Sequence, residues 1–220
     1  DILRDFEDGK LKKEYRGIAL DDFFSPVHEY FLRLKPRQIF FSGIQTTRGC
    51  KYHCEFCASS VASYRTIQQE QVLSLVNKVR FWARIVPLYF KDDNIYSDPV
   101  YARSLFRKLI PFRIKWFSSS SLDIAFDDEA LRLAKESGCV QLAIGFETLH
   151  PEKLPKTSVN QKVRSMEDLL MLIKKIKSYG ISVRGAFILG LDESTHRDYW
   201  RLLAFFMRAR LHYIALGILT

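Results

Sequence analysis

Cysteine is scarce in this chain, with four among 220 residues. So low a count argues against a disulfide-stapled secreted scaffold and favours a reducing, cytoplasmic setting. Long apolar runs are missing as well. None approaches the roughly 20 residues a membrane-spanning helix needs, and the opening Asp1-Ile2-Leu3-Arg4 does not read as a signal peptide. An initiating Met is also lacking, and the last residues, 212–220, form an apolar strand-like run. The expectation is therefore an excerpt of a longer protein, with 1–36 a linker and N-terminal helix and 37–220 a core cut at its C-terminal end. The formal charge of +9 is dispersed over 10–16, 33–37, 103–115 and 174–177 among helical apolar positions. No basic block carries interleaved aromatics, so solvated helix faces are expected rather than a nucleic-acid surface.

Three of the four cysteines stand together. Cys50, Cys54 and Cys57 are spaced C-x3-C-x2-C, and Cys139 lies apart in an apolar run that reads as core. Thiolates are the usual protein ligands of iron–sulfur clusters, which normally take four. Three in one loop leave one iron open to a small molecule, and this reads as catalytic rather than as a sealed electron carrier. Two other readings stay open at this point. His53 inside the loop could complete a zinc site, and Cys54 with Cys57 could form a redox disulfide.

Apolar periodicity alternates between strand and helix along the rest of the chain. Strands are expected near 38–44, 85–90, 114–118, 140–146, 181–189 and 213–219, with helices near 69–84, 98–110, 127–137, 165–179 and 195–208. Strand–helix alternation implies parallel strands joined by crossovers, hence an α/β fold, either an open sheet or a partial barrel. The partial barrel is the preferred reading. In such folds functional groups collect where strands end. Those ends carry the cysteine loop, then Asp92, Asp93 and Asn94, then Ser118 to Ser121 with Asp123. Next come Gly145 to Glu147, and finally Gly190 and Glu193, with Arg184 earlier in the same strand.

The cysteine loop, with the aromatic Phe56 between its last two cysteines, resembles that of the radical S-adenosylmethionine superfamily. The likeness implies a parallel (β/α)6 partial TIM-type barrel. It implies that Cys50, Cys54 and Cys57 hold a [4Fe-4S] cluster whose fourth iron binds S-adenosylmethionine. Reductive cleavage would then give a 5′-deoxyadenosyl radical that takes hydrogen from the substrate. By the same resemblance Phe56 lies by the adenine, and Asp92 or Asp93 accepts the methionine ammonium. Ser120 and Glu147 reach the cofactor, Arg184 pairs with its carboxylate, and Ile188 touches adenine. The chain departs from the family pattern in having Asp92-Asp93-Asn94 where a Gly-Gly-Glu-like segment is common, and Ala186 where a Gly is usual.

Residues 3–17 together with the Asp-Asp-Asn-Ile segment resemble the cobalamin-dependent subgroup. This implies a cobalamin-binding domain ahead of the core and methyl transfer or ring formation as the reaction. A small-molecule substrate and an electron donor such as flavodoxin or ferredoxin are the implied partners. The cobalamin motif Asp-x-His-x-x-Gly is absent from these 220 residues. Cobalamin is thus an expectation about the parent protein. A zinc module or a non-catalytic cluster scaffold is the competing reading.

Overall fold

The apolar run at 38–44 is a helix rather than the expected first strand. The computed structural model describes residues 8–10, 35–54, 56–61, 63–149, 163, 165–189, 196–211 and 213–218. Within them α1 (Pro36–Ser42) opens on Pro36, whose missing N–H is no loss in a first turn. The Lys35 N–H donates to Gln38 Oε1 at 2.9 Å, and Gly43, at φ 74°, ends the helix. Only Ile44 then behaves as a strand. Its N–H donates to the Tyr89 carbonyl and its own carbonyl accepts from Lys91, each close to 2.9 Å, which makes a single parallel bridge to Phe90.

The next elements are β1 (Thr47–Arg48) and β2 (Arg65–Thr66), a short antiparallel pair that brackets the cysteine loop. Thereafter strand and helix alternate as expected. They run α2 (Gln69–Ile85), β3 (Leu88–Phe90), α3 (Pro99–Leu109), β4 (Trp116–Ser120), α4 (Asp128–Glu136) and β5 (Cys139–Glu147). The chain continues through α5 (Met166–Ser178), β6 (Ser182–Leu189), α6 (His196–Ala209) and β7 (Tyr213–Ile218). Five strands pair in the order β3-β4-β5-β6-β7, every neighbour parallel. With Ile44 at the β3 edge, the six expected strands become five and a bridge. The stretch 11–34 of the expected linker, together with Gly190 and Glu193, lies outside the described residues.

Local chemistry sets the helix starts. Asp98 accepts from the Val100 and Tyr101 N–H groups ahead of α3, and Asp127 from Ala130 ahead of α4. Ser165 and Asp168 exchange bonds as a capping box on α5. Gly138, at φ 98°, turns α4 into β5. A Cβ there would stand 1.8 Å from the Ile114 carbonyl oxygen, so only glycine fits.

The two faces of the sheet differ in size. Leu142, Ile144 and Phe146 of β5 are buried beneath the helices, as are Val183 and Phe187 of β6. Phe146 and Phe187 stack at 5.4 Å, and Phe205 and Phe206 of α6 close on Phe187 at 5.8 and 5.1 Å. Trp116 packs against Phe90 and Phe106 in the same layer. Each such fully buried large side chain stabilises the fold by about 2–3 kcal/mol. The alternate residues, Ala143, Gly145 and Ala186, point to the other face. Small side chains there leave room above the strands, and a cavity of about 250 Å³ fills it.

Candidate active site

The cavity lies at the C-terminal ends of the parallel strands. It is lined by Cys50, Cys54, Phe56 and Cys57 from the cysteine loop, and by Asp93 and Asn94 after β3. Ser119, Ser120 and Ser121 line it from β4 and its exit, Ala143, Gly145 and Glu147 from β5, and Ala186 from β6. The three clustered cysteines are reduced, not disulfide-bonded, and line one cavity. Cys139 is buried at the start of β5, where burial pushes its thiol well above the ordinary range.

Several elements hold the cysteine loop in place. The Asp92 carboxylate accepts from the Thr46 N–H, the Thr46 hydroxyl and the Thr47 N–H, all at 2.7 Å, and all three residues are buried. Burial outweighs the donated hydrogen bonds, which favour the carboxylate, and leaves the Asp92 carboxyl raised to about 6. Tyr101 donates to the Thr46 and Ile67 carbonyls, which ties both arms of the β1–β2 pair to α3. Lys51 N–H donates to Ser97 Oγ at 2.8 Å, and Lys51 Nζ pairs with Asp98 at 2.7 Å. The Tyr52 hydroxyl donates to Asp123, on the turn after β4. Burial, reinforced by Asp123, raises the Tyr52 phenol above its usual range, so it stays a donor.

Of the residues singled out in the sequence, Cys50, Cys54, Phe56, Cys57, Asp93, Asn94, Ser119, Ser120, Ser121, Gly145 and Glu147 come together on the cavity. Asp92 does not. Its carboxylate is spent on Thr46 and Thr47, beneath the cysteine loop. Arg184 and Ile188 share the inward alternation of Ala186 on β6, but neither is among the lining side chains. Arg184 pairs in register with Ala143, two pairs further from the rim than Ala186 with Gly145. Tyr52, Ala143 and Ala186 complete the lining. The alternation of small inward and large outward residues along β5 and β6 was the signal that could have found the last two.

Glu147 combines two unusual features. It sits at φ 66°, a left-handed conformation rare for a residue with a Cβ, where the β5–β6 register shifts. Its carboxylate folds back over Gly145, where an added Cβ would meet Oε1 at 2.2 Å. Burial alone pushes this carboxyl up to about 7. Strain and desolvation at one cavity-lining residue are typical of functional sites. The buried Ser121 hydroxyl has no partner among the described residues.

These groups fit a cluster with a small polar ligand beside it. Three thiolates are the donors iron–sulfur centres use, and Ser121 and Glu147 offer unspent polar atoms next to them. A single zinc ion fits less well. Its thiolates must stand about 2.3 Å from one centre. Among the described residues, no three His, Cys, Asp or Glu side chains could hold one ion. His53 is exposed and absent from the lining.

Comparison with known proteins bears on the family and the fold. Bacteriochlorophyllide d C-12(1)-methyltransferase of Chlorobaculum tepidum is 25% identical over all of this chain and 49% of its own length. Cytidylyl-2-hydroxyethylphosphonate methyltransferase of Streptomyces wedmorensis is 30% identical over 67% of this chain and 28% of its own length. The chain thus spans about half or less of these curated relatives. Among solved structures, the radical S-adenosylmethionine methyltransferase TsrM of Kitasatospora setae, with cobalamin and a [4Fe-4S] cluster bound, superposes with a TM-score of 0.68. It is 18% identical, over 81% of this chain and 37% of that one, and the likeness establishes the partial-barrel fold. The family model described as the radical SAM superfamily matches residues 44–206, most of the sequence, and the chain belongs to that superfamily.

Proposed function

We propose that this chain is the catalytic core of a radical S-adenosylmethionine enzyme, with Cys50, Cys54 and Cys57 as the ligands of a [4Fe-4S] cluster. The observation that carries the reading is the meeting of these three thiols on one strand-end cavity with Glu147 and Ser121. Bound there, the cluster and S-adenosylmethionine would supply reductive cleavage and the hydrogen abstraction that follows.

The chain's own residues then have separable tasks. Phe56 offers an aromatic wall and Asp93 an exposed carboxylate suited to an ammonium group. Ser120 and Glu147 offer polar contacts for a ribose or methionine part. Arg184 and Ile188, on the inward face of β6, are candidates for the carboxylate and adenine ends. Asp92 acts by positioning Thr46 and Thr47, hence the start of the cysteine loop.

Methyl transfer is the favoured reaction of the parent protein, supported by the methyltransferases to which the chain is similar, with ring formation as the alternative. A cobalamin-binding domain before the core, a small-molecule substrate and an electron donor such as flavodoxin or ferredoxin would complete it. Residues 1–36 would serve as the linker and 37–220 as the barrel. Among the described residues, no helix is long and apolar enough to cross a membrane. A cytoplasmic setting suits exposed thiolate chemistry.

The test is anaerobic reconstitution with iron and sulfide, followed by spin resonance with and without S-adenosylmethionine. About four irons per chain, a reduced signal altered by the cofactor, and 5′-deoxyadenosine release are expected. Cys50→Ala, Cys54→Ala or Cys57→Ala should each abolish them. A colourless protein holding one zinc would overturn the reading.

A further inference from the structure

Two buried side chains turn donors toward the Cys50 sulfur. Ser97 Oγ approaches Cys50 Sγ at 3.6 Å and Asn94 Nδ2 at 3.8 Å, both within hydrogen-bond range for sulfur. Ser97 and Asn94 are themselves buried. In the structure Cys50 carries a thiol, which stands in for the thiolate it would present to iron.

Neither donor is there by chance orientation. Asn94 Oδ1 accepts from the Tyr96 N–H at 3.1 Å and from the Ser121 N–H at 2.9 Å. Two backbone donors on one side of the amide fix which end is oxygen, so the NH2 end must face Cys50. Ser97 Oγ accepts from the Lys51 N–H at 2.8 Å, which leaves its own hydrogen free to point at the sulfur. Ser97 thus holds the cysteine loop at Lys51 and faces Cys50 with one hydroxyl, while Asn94 links Cys50 to the backbone after β4.

We propose that Asn94 and Ser97 set the reduction potential of the cluster through hydrogen bonds to the Cys50 thiolate. The inference rests on the cluster reading above. A reduced cluster carries one more negative charge than an oxidised one, and that charge spreads onto the sulfur ligands. Donors aimed at sulfur therefore favour the reduced state and raise the potential. They are positioning residues, acting through Cys50.

The test is a redox titration of the reconstituted full chain, followed by spin resonance, with iron and sulfide measured on every sample. Ser97→Ala removes one donor. Asn94→Asp keeps the oxygen that the Tyr96 and Ser121 N–H groups require, but turns an acceptor toward the sulfur. Each should hold the wild-type iron content. Each should disfavour reduction about tenfold, about 59 mV more negative for one electron. Ser97→Thr, which retains the hydroxyl, should restore the wild-type value. Variants with full clusters and unchanged potentials would overturn the inference while leaving the cluster reading intact. A wild-type chain that takes up no four-iron cluster would overturn both, and the iron content distinguishes the two failures.

Discussion

Tyr52, in the middle of the cysteine loop, donates its phenolic hydrogen to Asp123, 71 residues later in the chain. The bond crosses from the loop before the barrel helices to the turn after β4. It ties the loop directly to the turn that leaves β4.

Removing it should loosen the loop without unfolding the barrel. Tyr52→Phe deletes only the donor, and a hydrogen bond to a charged acceptor contributes about 1.5–3 kcal/mol. Tyr52 is half-buried, so the expected loss is near the low end, about 1.5 kcal/mol by denaturant titration. Iron should also leave the reconstituted variant several-fold faster under chelator challenge.

Asp92 should tolerate amidation far better than truncation. Asp92→Ala strands the buried Thr46 and Thr47 N–H groups, and each unsatisfied donor costs about 1–3 kcal/mol. A total loss of about 3–4 kcal/mol is expected. Asp92→Asn keeps an oxygen for both N–H groups, and the Thr46 hydroxyl can rotate to accept from the new amide. Its loss should stay near 1 kcal/mol in the same titration.

Glu147 should leave a signature in stability against pH. Its folded carboxyl is raised by burial to about 7, from 4.5 for an exposed glutamate. Between those values the folded state holds more proton than the unfolded state, so stability falls as pH rises and levels off above about 7. Glu147→Gln removes that slope. The difference in unfolding free energy, variant minus wild type, should grow by about 3 kcal/mol from pH 4.5 to pH 8. Denaturant titrations across that range check it, and a flat difference would show that the carboxyl is not raised.

Filling the floor of the cavity should separate binding from folding. Ala186→Leu projects a larger side chain from the inward face of β6 and leaves the Phe146–Phe187 layer behind it untouched. The melting temperature should move by only a few degrees, equivalent to about 1 kcal/mol. S-adenosylmethionine binding to the reconstituted chain, measured by calorimetry, should weaken at least tenfold.

The later strands and helices were legible because each carries its own signal. Alternation in β5 and β6, the Asp98-Pro99 start of α3 and the Ser165 cap of α5 all act within a few residues. The run at 38–44 was misread as a strand because a short apolar segment has no decisive period. Pro36, the Lys35–Gln38 bond and Gly43 decided for helix, and those cues are subtle beside four apolar residues. At the site, the cysteine spacing and Glu147 stood out as residue types in a pattern. The direction of Asp92 did not, since it depends on Thr46 and Thr47 arriving from 45 residues away. The approach of Asn94 to Cys50 has the same non-local origin.

The ties that hold the cysteine loop also impose an order of assembly. Cys50 leaves the ribosome some 40 to 70 residues ahead of Asp92, Asn94, Ser97 and Asp123, the groups that fix its loop. Until β3 and β4 have been made and have paired, the three thiols have no shared cavity to face. A nascent chain stopped short of residue 123 would present them as loose, oxidisable side chains. The shared face of the three thiols is therefore a property of the finished sheet, completed only by residues that follow them in the chain.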